Sequence, residues 1–212
     1  MVGLVMDHEV ARERLVARLD EQGRIERDAT REALLAVPRH EFVPESRSKN
    51  AYDDRPLPIG ENQTISAPHM VAMMTDLLAP STADSILEIG TGCGYHAAVT
   101  AAIAGEVRSV EYHESLAASA RERLSKLGYD VAIRVGDGHD GWAAHAPYDG
   151  AYLTCAAAEI PEAIVEQVRP GGAIVAPIGD GRQTLVRARR RADGGFDRET
   201  HGGVRFVRMQ GG

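Results

Sequence analysis

The sequence predicts an α/β fold with a doubly wound, mostly parallel sheet, helices on both faces and a C-terminal antiparallel hairpin. Three observations carry this. From about residue 85 to 178, short apolar runs alternate with helix-length amphipathic segments, the pattern of a parallel sheet with crossover helices. A glycine turn, Gly90-Thr91-Gly92-Cys93-Gly94, lies between an apolar strand and a helix. Near the end, Asp193-Gly194-Gly195 separates two strand-like runs at 183–191 and 203–208, which read as a hairpin closing the sheet edge.

Taken in order, residues 7–22 place Val10, Leu15 and Leu19 at helical spacing on a charged background, and Gly23 is set to stop that helix. A second helix over about 28–36 ends before Pro38. Residues 38–66 contain Pro38, Pro44, Pro56, Pro58 and Gly60, too much punctuation for regular elements, and read as a long ordered loop of the functional kind. Then come helix 67–78, strand 85–89, helix 95–104, strand 107–111, helix 114–127 and strand 131–135. After the Gly136-Asp137-Gly138 turn follow strand 149–154, helix 160–168 and strand 173–178. The organisation expected is one catalytic domain over 1–212. Its N-terminal region, 1–66, covers the site, 67–180 forms the cofactor-binding core, and 181–212 the hairpin.

An apolar content of 43% and a charged content of 26% are those of an ordinary globular protein. No apolar run nears the roughly 20 residues of a membrane span, and the opening MVGLVMDHEVARERL lacks a signal-peptide pattern, so the expectation is cytoplasmic, without membrane association. A net charge of −7 argues against nucleic-acid binding through the overall field. Cys93 and Cys155 lie far apart without metal-ligand spacing, which predicts two reduced thiols and no metal. A monomer is the favoured state.

The glycine turn lets the backbone approach a ligand closely. Its Gly-x-Gly-x-Gly spacing, with Gly90 and Gly92 leading, lacks the step of a pyrophosphate fingerprint, and suits an adenosine attached to an amino acid. Glu88 is an acid at the end of an otherwise apolar strand, either a cofactor contact or a cap for local N–H groups. Glu111 ends the next strand about 20 residues after Gly90, where a carboxylate can accept both ribose hydroxyls. Asp137-Gly138 ends the third strand, where an aspartate can accept from an adenine amino group or simply form a turn.

The segment LPIGENQTISAPHM (57–70) precedes this loop. Ser66, followed by Ala67-Pro68, reads as a helix N-cap, and the same geometry can aim its hydroxyl at a bound carboxylate. His69, in the first turn, either contacts the cofactor or covers the loop. Asp53 and Asp54 are turn formers or substrate contacts.

At these residues the chain resembles the protein-L-isoaspartate (D-aspartate) O-methyltransferases, and does so along nearly its whole length. The matching words are VPRHEFVPE (37–45), AYDDRPLPIGENQTISAPHMVA (51–72), LEIGTGCGY (87–95), VGDGHDGW (135–142), EIP (159–161), VRPGG (168–172) and VRFV (204–207). The resemblance implies a class I methyltransferase-like fold, in which this family switches the last two strands. It further implies S-adenosyl-L-methionine as cofactor and isoaspartyl residues of damaged proteins as substrate. Methylation of their α-carboxylate leads through a succinimide toward repair. Carried over, the catalytic serine is Ser66, and the cofactor contacts are Ile65, Ser66, His69, Glu88, Gly90, Glu111, Asp137 and Gly138. Departures from the family's common form are Cys93, Ala157-Ala158 and Arg208. Two alternatives stand beside this reading. One is a class I methyltransferase of another substrate, suggested by the Arg-rich run at 187–191; the other is a non-catalytic paralogue that binds the same cofactor.

Overall fold

The computed structural model describes residues 7–212; the readings made for residues 1–6 lie outside them. Helix α1 (His8–Glu21) opens on Asp7, whose carboxylate accepts from the N–H groups of Glu9 and Val10. Its buried stripe is Leu15, Val16 and Leu19. Helix α2 (Asp28–Ala36) follows, and then two 3-10 turns, Arg39–Phe42 and Glu45–Asn50.

Residues 57–65 depart from the expectation of an irregular loop. They form an antiparallel hairpin of β1 (Leu57–Gly60) and β2 (Gln63–Ile65). The turn between them places Glu61 and Asn62 at φ of 48° and 55°. Two left-handed residues in sequence give the turn whose twist matches a hairpin, here made without glycine at either central position.

Helix α3 (Pro68–Leu78) leads into the main sheet: β3 (Ser85–Ile89), α4 (Tyr95–Ala101), β4 (Glu106–Glu111), α5 (Glu114–Leu127), β5 (Ala132–Val135), β6 (Tyr148–Leu153), α6 (Glu162–Gln167), β7 (Val168–Ile178), β8 (Gln183–Arg190) and β9 (Phe196–Val204). The strand order is β5-β4-β3-β6-β7-β8-β9. The first five pair in parallel, and β8 and β9 are added antiparallel. The expected sheet and hairpin are present, with two corrections. The second hairpin arm is 196–204, not 203–208, because residues beyond 204 leave the sheet edge and cross toward Ala156. The Arg-rich run at 187–191, whose charges read from the sequence as those of an edge strand guarded against aggregation, falls on β8, which lies inside the sheet with β9 as its edge.

Side chains alternate across β3. Leu87 and Ile89 join one apolar cluster with Leu153, Ile164 and Ile174. Ile86 faces the other side, with Met74 and Leu78 of α3. A third cluster joins α1, α2 and the hairpin to α4 and α5 through Leu19, Phe42, Leu57, Tyr95 and Leu124. Arg39 lies wholly buried there, with its Nε donating to the Ala51 carbonyl at 2.8 Å and its guanidinium 4.8 Å above the Tyr95 ring. The N-terminal layer is thereby attached directly to the helix that follows the glycine loop. No helix of the described residues is long and apolar enough to cross a membrane.

Position within the sheet sets what a side chain is worth. Ile174, fully buried on β7, should cost about 2–5 kcal/mol when replaced by Ala. Arg198, exposed on β9, should cost less than about 0.5 kcal/mol. Urea denaturation of the two variants checks the contrast, and equal losses would contradict the layering.

Candidate active site

Strand order reverses between β3 and β6, and at their carboxyl ends a cavity opens, where such sheets bind ligands. It encloses about 730 Å³ including its mouth, a suitable size for a cofactor with part of a substrate.

The glycine loop forms its floor. Gly90 turns at φ 92°; its N–H donates to the Val110 carbonyl at 2.8 Å, and its carbonyl accepts from Thr154 Oγ1 at 2.5 Å. A Cβ on Gly90 would collide with that threonine oxygen. At Gly138 a Cβ would lie 2.5 Å from Ile89 Cγ2, so this wall too needs bare backbone. Glu111 lines the cavity and is almost fully buried. One of its carboxylate oxygens accepts the Gly92 N–H at 2.8 Å and the other the His113 N–H at 2.9 Å. Tyr112, beside it, is half exposed at 50% and adds an aromatic face to the same wall. The sequence reading passed over it, although its place directly after the strand-end acid was the available signal.

The β1–β2 hairpin closes the opposite side. Ile59 packs at the loop, with its Cδ1 3.1 Å from where a Cβ on Gly92 would stand. Glu61, at the turn, accepts from Ser115 Oγ at 2.7 Å and so fastens the hairpin to the start of α5. Ile65 and Ser66, at the hairpin's exit, both line the cavity. The N-cap assignment for Ser66 is corrected: the cap position of α3 is Ala67, and no side chain there caps the helix locally. Asp54 does this work from a distance, accepting from the His69 N–H and from His69 Nδ1, each at 2.9 Å. The Ser66 hydroxyl is therefore not committed to the helix end.

Bare backbone at Gly90 and Gly138, a buried acceptor at Glu111 and an aromatic face at Tyr112 fit a nucleoside carrying a small polar extension. A model of the protein-L-isoaspartate (D-aspartate) O-methyltransferase family matches residues 10–212. The chain belongs to this family. It is 50% identical over 210 residues to protein-L-isoaspartate O-methyltransferase 2 of Archaeoglobus fulgidus, covering 97% of this chain and 95% of that protein. It is 44% identical over 209 residues to the Pseudomonas aeruginosa enzyme, covering 98% and 99%. A solved protein-L-isoaspartate O-methyltransferase superposes with a TM-score of 0.87 at 28% identity, over 94% of this chain and 66% of that one. A Plasmodium falciparum protein assigned the same activity, solved with S-adenosyl-L-homocysteine, gives a TM-score of 0.82 over 94% and 98%. At 22% identity it supports the fold. The family transfers methyl groups from S-adenosyl-L-methionine to isoaspartyl residues, and this chain is a methyltransferase of that kind.

Among the residues that the resemblance to the isoaspartyl methyltransferases marks as contacts, Ile65, Ser66, Gly90, Glu111 and Gly138 surround the cavity, as does Gly92 of the glycine loop, while His69, Glu88 and Asp137 do not line it. His69 is held by Asp54. Glu88 points down into the protein under the glycine loop, fully buried. Asp137 lies at the rim, its carboxylate accepting from the His139 N–H at 2.9 Å, from His139 Nδ1 at 2.7 Å and from the Gly212 N–H at 2.9 Å. These bonds, the His139 N–H foremost, hold its carboxyl below the usual range. The tail that passes over Asp137 also walls the cavity with Val207, Arg208 and Met209, pairing its backbone with Ala156. Both cysteines are free and buried. Burial raises the Cys93 thiol and pushes that of Cys155 up to about 12, so neither is primed for oxidation.

Gly90→Ala should cost about 1–3 kcal/mol of backbone strain and weaken S-adenosyl-L-homocysteine binding by about tenfold or more. Calorimetry reads the affinity, and an unaltered value would refute the close approach at Gly90.

Proposed function

We propose that the cavity holds S-adenosyl-L-methionine against Ile65, Gly90, Gly92, Glu111 and Gly138, and that Ser66 aligns the α-carboxylate of an L-isoaspartyl residue beside it. The observation that carries this reading is that Ser66 and Glu111, from two distant parts of the chain, face one cavity across the glycine loop. Glu111 would accept from the ribose hydroxyls. Tyr112 would offer its face to the adenine.

The bound cofactor supplies a methyl group activated by a positively charged sulfur. Everything else asked of the protein is placement. The substrate carboxylate, with a usual pKa of about 3.5, is already ionised at neutral pH. Its oxygen forms the new O–C bond as the C–S bond breaks, the bonding pair stays on sulfur, and no proton moves. No general base is needed, and His96, which lines the cavity, is a poor one: burial drops it to about 3 and keeps it neutral. Rate must come from alignment at about 3 Å and from excluding water. The apolar side chains of Ile65, Val71, Ile89 and Val110 around the cavity suit that task.

The arginines of β8 support a protein rather than a nucleic-acid substrate, because they are engaged within the molecule. Arg187 donates to the Leu77 carbonyl, Arg189 to that of Gly171, and Arg190 to those of Glu166 and Val168. None is left as an open phosphate-binding stripe.

Two outcomes test the reading. Labelled S-adenosyl-L-methionine should mark an isoaspartyl peptide and leave its aspartyl twin unmarked; equal marking would sink the substrate assignment. Ser66→Ala should lower kcat by about a hundredfold while cofactor affinity stays roughly unchanged. Steady-state kinetics with calorimetry separates the two effects, and an undiminished kcat would remove Ser66 from the reaction.

A further inference from the structure

Glu88 is a buried acid that methyl transfer does not use. It sits on β3, the middle one of the five parallel strands, and the register aligns it with Ser109 on β4 and Tyr152 on β6. The three side chains form one row across the face that looks toward α3 and α4. Ser109 Oγ donates to one Glu88 oxygen at 2.5 Å and Tyr152 donates to the other at 2.8 Å. Thr100 of α4 donates in turn to the Tyr152 hydroxyl at 3.1 Å. On the other side, Ser109 Oγ lies 2.5 Å from Thr91 Oγ1, and Thr91 belongs to the glycine loop and lines the cavity. The row thus runs unbroken from a carboxylate in the core to the cofactor-facing loop.

A hydroxyl carries one hydrogen, which fixes the direction of the row. With Glu88 ionised, Ser109 must donate to it, so Thr91 must donate to Ser109. Thr91 then presents only acceptor lone pairs elsewhere. With Glu88 protonated, its own hydrogen can go to Ser109, Ser109 can donate to Thr91, and the Thr91 hydrogen is freed toward the cavity. An acceptor there favours a cationic ligand, and a donor opposes it. We propose that Glu88 is a positioning residue that sets, through Ser109 and Thr91, the polarity the glycine loop presents to its cofactor, so that cofactor binding is coupled to the ionisation of Glu88.

The surroundings suit a group that changes state near neutrality. Burial pushes the Glu88 carboxyl up to about 7, against the pull of the Ser109 and Tyr152 hydroxyls, and the Glu111 carboxylate raises it further. Cys155 also faces it, as a neutral thiol. His96 of α4 lies against Tyr152 with ring centres 4.3 Å apart and planes tilted by 37°, stays neutral and bonds Thr75 of α3 at 3.2 Å. No cation acts on Glu88 among the described residues. Protonation therefore costs it no ion pair.

The proposal rests on the cavity being the cofactor site, and the experiment separates the two. Affinity for S-adenosyl-L-methionine is measured by calorimetry from about pH 5.5 to about pH 9 in the unmodified protein and in Glu88→Gln, Ser109→Ala and Thr91→Val. The cofactor's own α-amino group, which titrates at about 7.7–8.0, affects all four alike, so the ratio to Glu88→Gln is the readout. That ratio should rise about tenfold from pH 6 to pH 8 for the unmodified protein and stay flat for Ser109→Ala and Thr91→Val. A constant ratio in the unmodified protein overturns the coupling. A pH-dependent ratio that survives in Ser109→Ala or Thr91→Val overturns the relay and leaves a direct charge effect. Absence of binding at every pH overturns the cofactor site itself. Thr91→Val, which leaves Glu88 and Ser109 in place, keeps the test open if either core variant fails to fold.

Discussion

The turn at Gly90 is the constraint on which the site depends. There the backbone leaves β3 in a conformation closed to other residues without strain, and its carbonyl takes a hydrogen bond from Thr154, which itself follows β6. That bond joins the two strands that part at the switch point, so the cavity between them has a fixed floor. Glu111 holds the next stretch of the loop by accepting the Gly92 N–H, and Ile59 of the hairpin packs on that glycine from above. The glycine loop and the hairpin that leads into Ser66 are thus positioned against each other by direct contact. A displacement at Gly90 would be passed to both.

Fixing geometry this firmly suits a reaction with no proton to move. Burial keeps three groups of the cavity uncharged: His96 is neutral, and the Cys93 and Cys155 thiols stay protonated. The investment lies instead in the N-terminal layer. Leu19 of α1, Leu34 of α2, Phe42 of the turn after them and Leu57 of the hairpin share one buried cluster with residues of α4 and α5, which holds the hairpin over the loop. The Asp54 carboxylate adds the start of α3 to that assembly through His69. Through the hairpin the layer serves as a wall of the cavity as much as a part of the core.

Features held by local chemistry were legible in the sequence. The strand–glycine–helix turn, the acid at the end of β4 and the alternating strands of the sheet each follow from neighbours a few residues apart. Features decided by distant partners were not. The hairpin at 57–65 is obscured by prolines and by a turn built on Glu61 and Asn62, where glycine would have announced it. Ser66 looked like a cap because the true cap, Asp54, reaches the helix from fifteen residues upstream. Glu88 looked like a ligand because an acid ending an apolar strand at a glycine loop suggests one. Its inward direction depends on the pairing of three strands, which no single segment encodes. The second arm of the final hairpin was misplaced because its residues, 196–204, are polar and largely exposed, with no alternation to mark them.

Two ionisable side chains, Glu88 and Arg39, are buried on elements that meet at the glycine loop, and neither has an ion-pair partner there. Arg39 has one hydrogen bond and the Tyr95 ring, while its two terminal nitrogens have no hydrogen-bond partner. Desolvation of such groups costs several kcal/mol each, and apolar residues of similar volume would often be as stable or more so. Stability is therefore a poor account of their presence. Apolar packing, however, has no direction: a leucine in the place of Glu88 would fill the space and leave Ser109 and Thr91 free to turn. A carboxylate imposes one arrangement on every hydroxyl in its row, and a planar guanidinium against Tyr95 favours one angle between the N-terminal layer and α4. In a site whose rate depends on alignment, orientation is the property worth a cost in stability. Both buried groups lie beside the loop that floors the cavity, where such an orientation bears on the site.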